Sequence, residues 1–163
     1  MSRRAAVLIS STRAATGVYA DTTGPVIRDW LTDRGFTVGD PVVAVDGDPF
    51  AAALAAELTL RPDLIITSGG TGISPTDRAA TITAAALDYE IPGIAEEIRR
   101  QGVAKVPTAI LSRGVAGVSG RTLIVNLPGS KGGVKDGLAV LAGVVDHALD
   151  QLAGGDHPQP GTL

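Results

Sequence analysis

Short apolar runs alternate with stretches of helical periodicity along the first half of the chain. The runs Ala5–Ile9, Thr37–Val45 and Leu64–Thr67 are rich in valine, isoleucine or leucine and lie between turn residues, which predicts three strands. Pro25 and Pro49 each open a segment whose apolar residues recur three or four positions apart, which predicts a helix after each proline. This alternation favours a parallel sheet with right-handed crossovers.

The second half of the chain predicts three helices and a pair of strands. A weak helix covers Ala79–Leu87, and Pro92 opens a clearer helix that ends at Gly102. Val115–Ser119 and Arg121–Val125 predict the strand pair. An apolar stripe in steps of three and four predicts one last helix, and its residues are Val134, Leu138, Leu141, Val145, Leu149 and Leu152.

The loop behind the third predicted strand is the most informative segment, and together they read LIITSGGTGISPTD. Glycine reaches positive φ without a steric penalty and exposes backbone N–H groups to a ligand. Asp77 adds a carboxylate shortly after the glycines. A strand end, clustered glycines and one acid predict a site for a phosphorylated ligand that brings a metal ion. The alternative is a tight turn between a strand and a helix.

Two well-known phosphate-binding loops are excluded by this sequence. The Walker motif requires a lysine in G-x-x-x-x-G-K-[ST], and the chain has no Gly-Lys-Ser or Gly-Lys-Thr. The dinucleotide fingerprint G-x-G-x-x-G requires a third glycine for close helix packing, but Pro75 stands there when the pattern starts at Gly70. An ordinary P-loop and a standard NAD site are therefore both unsupported.

Polar loops follow three of the predicted strands, at Ser10–Arg13, Asp46–Asp48 and Ser68–Asp77. Ligands of open parallel sheets bind outside the carboxyl ends of the strands. If these strands are neighbours in the sheet, the three loops share one crevice.

Composition narrows the class of protein. A length of 163 residues fits one domain, and 44% hydrophobic but only 3% aromatic residues predict an aliphatic, alanine-rich core. A net charge of −3 without a basic cluster argues against nucleic-acid binding, and the absence of cysteine excludes disulfides and thiolate metal sites. No apolar stretch reaches the roughly 20 residues of a membrane span. We expect a cytoplasmic protein with one domain over residues 1–153 and a disordered tail over 154–163.

Six ordered blocks of the sequence resemble the molybdenum cofactor biosynthesis family, which includes molybdopterin adenylyltransferase and the gephyrin G domain. The blocks read STRAATGVYADTTGP, TSGGTGISPTD, DYEIPG, PTAILSR, AGVSG and NLPGS. The resemblance implies an α/β fold, a three-layer α/β/α sandwich with a mostly parallel central sheet, that assembles as a homotrimer. It also implies Mg²⁺-dependent transfer of AMP from ATP to the terminal phosphate of molybdopterin, with release of pyrophosphate. A separate molybdenum insertase would then act on the product.

The resemblance also implies roles for individual residues. Asp77 matches the family's essential aspartate and Asp46 its second functional aspartate, both as catalytic residues and as Mg²⁺ ligands. Asp48 is an alternative to Asp46, and each acid could instead belong to a turn or a helix N-cap. Ser112 and Arg113 match a further motif whose role stays open. The residues that match the pterin- and nucleotide-binding loops are Ser68, Gly69, Gly70, Thr71, Gly72, Pro128, Gly129 and Ser130.

Two departures from the family's usual pattern keep a second class of function open. Thr12 stands where relatives usually carry an acid, and Ala79-Ala80-Thr81 replaces a common Thr-Pro-Glu run. The alternative function is a trimer that binds molybdopterin, or serves as a scaffold, without catalysis. The insertase shares this fold as one domain among several and is not expected from a chain of this length.

Overall fold

Strands and helices alternate along the chain in a computed structural model that describes residues 2–155. The strands of this part of the chain are β1 (Arg4–Ser10), β2 (Thr37–Val38), β3 (Val42–Ala44), β4 (Leu64–Ser68), β5 (Tyr89–Glu90), β6 (Ala116–Ser119) and β7 (Thr122–Leu127). Its α-helices are α1 (Thr12–Ala15), α2 (Gly24–Asp33), α3 (Asp48–Thr59), α4 (Ala79–Ala86), α5 (Pro92–Val103), α6 (Lys131–Ala142) and α7 (Val145–Leu152). A 3-10 helix covers Pro107–Leu111.

The strands form one sheet in the order β2-β1-β4-β7-β6-β5, and β3 pairs with β1 beyond the end of β2. The pairs that involve β1, and the pair of β4 with β7, are parallel. Only β6 breaks this direction, since it runs antiparallel to both β5 and β7. The mostly parallel sheet predicted from the sequence is therefore confirmed.

Alternating side chains of β1 divide the core into two layers. Val7 and Ile9 join a cluster that packs against α2, α5, α6 and α7, whereas Leu8 joins a cluster that packs against α3 and α4. Phe50 and Ile66 are among the side chains with no exposed surface. Burying a side chain of this size stabilises the fold by roughly 1.5–3 kcal/mol relative to exposing it. The two layers of helices around the sheet confirm the three-layer α/β/α sandwich.

The parallel register brings several strand ends to one edge of the sheet. Ser10 pairs with Ala44 of β3, Ile9 pairs with Ser68 of β4, and Ser68 pairs in turn with Leu127 of β7. The loops that follow β1, β3, β4 and β7 therefore leave the sheet side by side. This confirms the expectation of neighbouring strands and adds the loop after β7 to the shared crevice.

One predicted strand is divided in the structure. The sequence predicts a continuous strand over Thr37–Val45, but β2 pairs with β1 at Arg4 and Ala5 while β3 pairs with it at Leu8–Ser10. The segment Gly39-Asp40-Pro41 separates the two strands. The prediction was wrong in its continuity because proline has no N–H to donate to a strand ladder.

The last predicted helix is also divided, into α6 and α7. The break falls at Gly143 and Val144, where Gly143 is the C-cap of α6. Leu141 and Val145 on either side of the break are fully buried in the same cluster. The apolar stripe was therefore right about the buried face, but its spacing did not reveal the break.

Shorter elements differ from the sequence predictions in detail. The helix α1 begins within the polar loop predicted at Ser10–Arg13, and the strand β5 was not predicted. The sequence leaves the element type of Thr108–Ser112 open, and this segment lies largely in the 3-10 helix. Asp48 suits the N-cap of the helix after the second strand, but the structure places Gly47 at the N-cap with a φ of +106°. Asp48 is instead the first residue of α3, so the predicted cap was wrong by one position.

An ion pair on α5 also differs from its prediction. The spacing of Glu96 and Arg100 predicts an i, i+4 pair, but the Arg100 guanidinium donates to Glu97, with Nε 2.8 Å from Oε2. The Arg100 guanidinium donates two hydrogen bonds to the Glu97 carboxylate, and the Gln101 amide donates a third. Together these bonds lower the pKa of Glu97 to about 2. Both side chains lie on the surface of the helix, so this ion pair does not contribute to the packing of the core.

The end of the described chain is attached to α7. The backbone N–H groups of Gly154 and Gly155 donate to the carbonyls of Gln151 and Asp150, respectively. The rest of the predicted tail, residues 156–163, lies outside the described residues. Within residues 2–155, no helix is both long enough and apolar enough to cross a membrane.

Candidate active site

Gly69 makes the sharp exit from β4. Its φ is +92°, a conformation that side chains rarely adopt, and an added Cβ would collide with the carbonyl oxygen of Ser10. Its N–H donates to the Leu127 carbonyl oxygen over 3.1 Å. Gly69 therefore places the glycine loop against the ends of both β1 and β7, and its own N–H is already used for that purpose.

Ser68 connects the two predicted loops. Its side chain is buried, and its Oγ lies 2.8 Å from the Pro128 carbonyl oxygen and 3.2 Å from Thr23 Oγ1. Gly129 approaches closely as well, since a Cβ on it would lie 3.4 Å from the Gly69 Cα. The structure thus brings Pro128–Ser130 beside the glycine loop, as predicted, and gives Ser68 a role in holding the two loops together.

Gly70 is enclosed on three sides. A Cβ built on it would lie 2.5 Å from Asp46 Oδ2, 2.6 Å from the Ala79 Cβ and 3.0 Å from Ser10 Oγ, and its φ is +68°. The end of β1, the loop after β3 and the start of α4 therefore meet at this glycine. The bare Cα is what allows the Asp46 carboxylate to come so close to the loop.

Asp46 and Asp48, the two alternatives for the second acid, face different ways. Asp46 Oδ2 accepts a hydrogen bond from the Arg78 N–H over 3.1 Å, which holds its carboxylate against the residue that follows Asp77. The Asp48 side chain is 94% exposed and lies 3.7 Å from the Arg78 guanidinium. Only Asp46 therefore lies inside the crevice, and its catalytic role remains a prediction.

Asp77 lies at the far end of the glycine loop, next to Gly72. Its Oδ2 accepts from the Ser74 N–H over 3.3 Å, and a Cβ on Gly72 would lie 2.6 Å from that same oxygen. The N-cap of α4 is Arg78, so the structure does not support the helix-cap alternative for Asp77. The carboxylate instead closes the turn that follows the glycines.

Two cavities lie on either side of the contact between the two loops. The first, which we call the α5 cavity, has a volume of about 340 Å³ and is lined by residues that include Gly72, Lys105, Ser112 and Ser130. The second, the β1 cavity, has a volume of about 480 Å³ and is lined by residues that include Ser10, Tyr19, Asp21, Gly69 and Gly129. Each is large enough for a small-molecule ligand.

Arg113 is a site residue whose role the sequence leaves open. Its backbone N–H donates to the Thr71 carbonyl over 2.7 Å, and its guanidinium donates to carbonyls of Gly72 and Asp77. Only its position in a family motif marked it beforehand, because nothing in the local sequence indicates acceptors some 40 residues away. Asn126, at the end of β7, is by contrast buried and bonded to Thr67 and Thr83, which makes it part of the frame.

The donor set of the crevice fits a hard divalent cation such as Mg²⁺. Asp46 Oδ1 and Ser10 Oγ are buried and have no hydrogen-bond partner within residues 2–155. A buried carboxylate oxygen without a partner is costly, and a cation would satisfy it. No group of three or more acidic or histidine side chains suited to a metal occurs in the described part of the chain. Mg²⁺ is usually held by one or two carboxylates and by phosphate oxygens of the substrate.

Comparison with known proteins identifies the family. A family model described as a probable molybdopterin binding domain matches residues 6–147. The chain belongs to this family. The resemblance seen in the six sequence blocks is thereby confirmed, and family membership places the chain among proteins of molybdenum cofactor biosynthesis.

Solved and curated members of the family are similar over most of this chain. The structure of the molybdopterin biosynthesis Mog protein from Mycobacterium ulcerans is 57% identical, with a TM-score of 0.90, and the match covers 94% of this chain and 99% of that one. The molybdopterin adenylyltransferase of Helicobacter pylori strain J99 is 32% identical, with 91% of this chain and 86% of the relative covered. The molybdenum cofactor biosynthesis bifunctional protein of Chlorobaculum tepidum is 37% identical over 94% of this chain, which spans only 50% of that relative.

Proposed function

We propose that this protein transfers AMP from Mg-ATP to the terminal phosphate of molybdopterin in the cytoplasm, as an adenylyltransferase of molybdenum cofactor biosynthesis. The observation that carries the proposal is the pair of cavities on either side of the contact between the glycine loop and Pro128–Ser130, with Asp77 at the end of the glycine loop and Asp46 next to Gly70 in the loop after β3. A transfer between two substrates needs two neighbouring sites and a means of offsetting phosphate charge. The two cavities and the two carboxylates support the proposal on these two counts. The names of several similar proteins support the same activity.

The chemistry joins two anions. An oxygen of the pterin's terminal phosphate forms a bond to the α-phosphorus of ATP, the bond from that phosphorus to the bridging oxygen breaks, and pyrophosphate leaves. Catalysis of such transfers rests mainly on positioning and electrostatic stabilisation. Asp46 and Asp77 would hold the Mg²⁺, which when bound neutralises charge on the phosphates.

The glycine loop contributes backbone donors rather than side chains. Gly69 donates its N–H to β7, whereas the N–H groups of Gly70, Thr71 and Gly72 have no backbone acceptor within residues 2–155 and would serve a phosphate or a pterin. These donors are fixed by the surrounding contacts before a ligand arrives. Donors that need no rearrangement stabilise developing charge most effectively.

The decisive experiment is an adenylylation assay with purified protein, molybdopterin and Mg-ATP. We expect pyrophosphate and adenylylated pterin to appear in equal amounts, and neither to appear without Mg²⁺. Binding of molybdopterin without either product would refute the proposed activity and support the non-catalytic binding protein or scaffold instead.

The assembly is a further part of the proposal. We propose a homotrimer that passes its product to a molybdenum insertase, on the basis of the family resemblance. Light scattering at micromolar concentration should return three times the mass of one chain, 16.5 kDa. A monomer mass at that concentration would reject the trimer.

A further inference from the structure

The guanidinium of Arg113 contacts the loop that follows β4 at two points and the helix α4 at a third. Its Nε lies 2.9 Å from the Gly72 carbonyl oxygen, Nη2 lies 2.6 Å from the Asp77 carbonyl oxygen, and Nη1 lies 3.0 Å from Thr81 Oγ1 in α4. With the bond from its own N–H to Thr71, Arg113 makes four hydrogen bonds to residues on both sides of the turn. Its side chain thus spans the turn from the last glycine to the acid.

We propose that Arg113 is the residue that positions Asp77 for adenylyl transfer. This inference rests on the proposed function above. Ile73, Ser74, Pro75 and Thr76, between the two carbonyls that Arg113 binds, are all exposed. The bonds within this turn join only Ser74 to Asp77 and to Thr76, so they cannot fix the turn relative to the sheet. Arg113 links the turn to the segment that leads into β6, and it acts beside the bond from the Arg78 N–H to Asp46 Oδ2 just after the turn.

The role depends on the shape of arginine and not on its charge alone. The planar guanidinium presents donors in a fixed fork and here reaches three separate acceptors, whereas a lysine ammonium cannot reach all three at once. The acceptors are two backbone carbonyls and a hydroxyl. None of them is negatively charged, so a positive charge alone would not replace the guanidinium. Replacement by lysine should therefore fail to restore the function of Arg113.

Because the Arg113 side chain is exposed, its removal should loosen the turn without destabilising the whole protein. Arg113 is exposed, so water can reach the carbonyls that its removal would free, and no buried charge is left behind. The global stability should change little while the turn becomes looser. A misplacement of a catalytic group by about 1 Å can cost on the order of 10²-fold in rate. The effect should thus appear in kcat and in the Mg²⁺ dependence rather than in the melting temperature.

The kinetic experiment compares Arg113→Ala, Arg113→Lys and a matched control, Arg4→Lys. Arg4 donates from its guanidinium to the Leu60 carbonyl oxygen over 2.6 Å, in the loop that leads into β4 and away from the glycine loop. We expect both Arg113 variants to lose about 10²-fold in kcat and to need more Mg²⁺ for half-maximal rate. Their melting temperatures should stay within about 4 °C of wild type, and the control should keep wild-type kinetics.

The kinetics also test direct substrate binding by Arg113. If Arg113→Lys restores kcat, or if the loss in Arg113→Ala lies wholly in KM for ATP or molybdopterin, Arg113 holds a phosphate and the positioning role is wrong. Thr81→Val removes one of the three acceptors, so it should lower kcat by a smaller factor and add nothing to Arg113→Ala in the double variant. Full additivity of the two changes would also count against the proposal.

A second readout does not depend on catalysis. Hydrogen–deuterium exchange of the amides in residues 71–78 should become at least about tenfold faster in Arg113→Ala, which corresponds to roughly 1.4 kcal/mol of local stability. The same amides should be unchanged in Arg4→Lys. Unchanged exchange in Arg113→Ala would overturn the positioning role even if wild type is an active adenylyltransferase. Faster exchange in a protein that makes no adenylylated pterin would sink the proposed function and leave the loop contact standing.

Discussion

Asp77→Asn should lower the rate of adenylyl transfer by at least about 10²-fold while leaving the fold intact. An amide has nearly the shape of a carboxylate, and its oxygen can still accept the Ser74 N–H bond that closes the turn. What the variant loses is the negative charge that would hold Mg²⁺ next to the phosphates. Pyrophosphate release at saturating ATP and molybdopterin measures the rate, and thermal unfolding measures the fold.

A matched control removes an equivalent charge elsewhere. Asp40 pairs with Arg28 on the surface and its side chain is 94% exposed, so Asp40→Asn should keep the wild-type rate. A rate for Asp77→Asn within about threefold of wild type would remove Asp77 from the metal site. Comparison of Asp46→Asn with Asp48→Asn tests the second acid in the same assay, and we expect only the Asp46 variant to lose activity.

Gly70→Val should weaken molybdopterin binding by at least about tenfold, or roughly 1.4 kcal/mol, and should also destabilise the protein. The added side chain would meet Asp46 Oδ2, the Ala79 Cβ and Ser10 Oγ, and the φ of +68° disfavours any side chain. Because Ala79 opens α4, the loop would have to move away from the sheet. Pterin fluorescence measures the binding, and thermal unfolding measures the loss of stability.

Gly72→Val separates the ligand-binding role of the loop from its structural role. Gly72 does not have a positive φ, and its added Cβ would meet only the carboxylate end of Asp77, which can rotate away. We therefore expect Gly72→Val to bind molybdopterin at least about tenfold more weakly with a smaller loss of stability than Gly70→Val. Gly39→Val is a control, since a Cβ there meets open space. A folded Gly72 variant that binds pterin normally would favour a purely structural turn and shift the pterin site toward Asn126–Ser130.

Local patterns in the sequence predicted most of the elements because periodicity reports which face of an element is buried. The apolar runs located β1 and β4, and the stripe ending at Leu152 located the buried face of α6 and α7. The same patterns failed at Pro41 and Gly143, where an element ends without any change in which face is buried. Periodicity does not report the N–H that is missing at Pro41, nor the end of a helix at a glycine whose neighbours on both sides stay buried.

The sequence by itself determined the family, the three-layer α/β architecture and the presence of a glycine loop at a strand end. Only the tertiary structure decided that Asp46 lies in the crevice while Asp48 faces solvent, and that Ser68 is committed to Pro128. It alone also gave Arg113 its acceptors. These contacts join residues separated by some 30 to 60 positions, so they depend on strand register and loop path. The spacing of nearby residues does not predict strand register or loop path, because both depend on how the parallel strands align across the sheet.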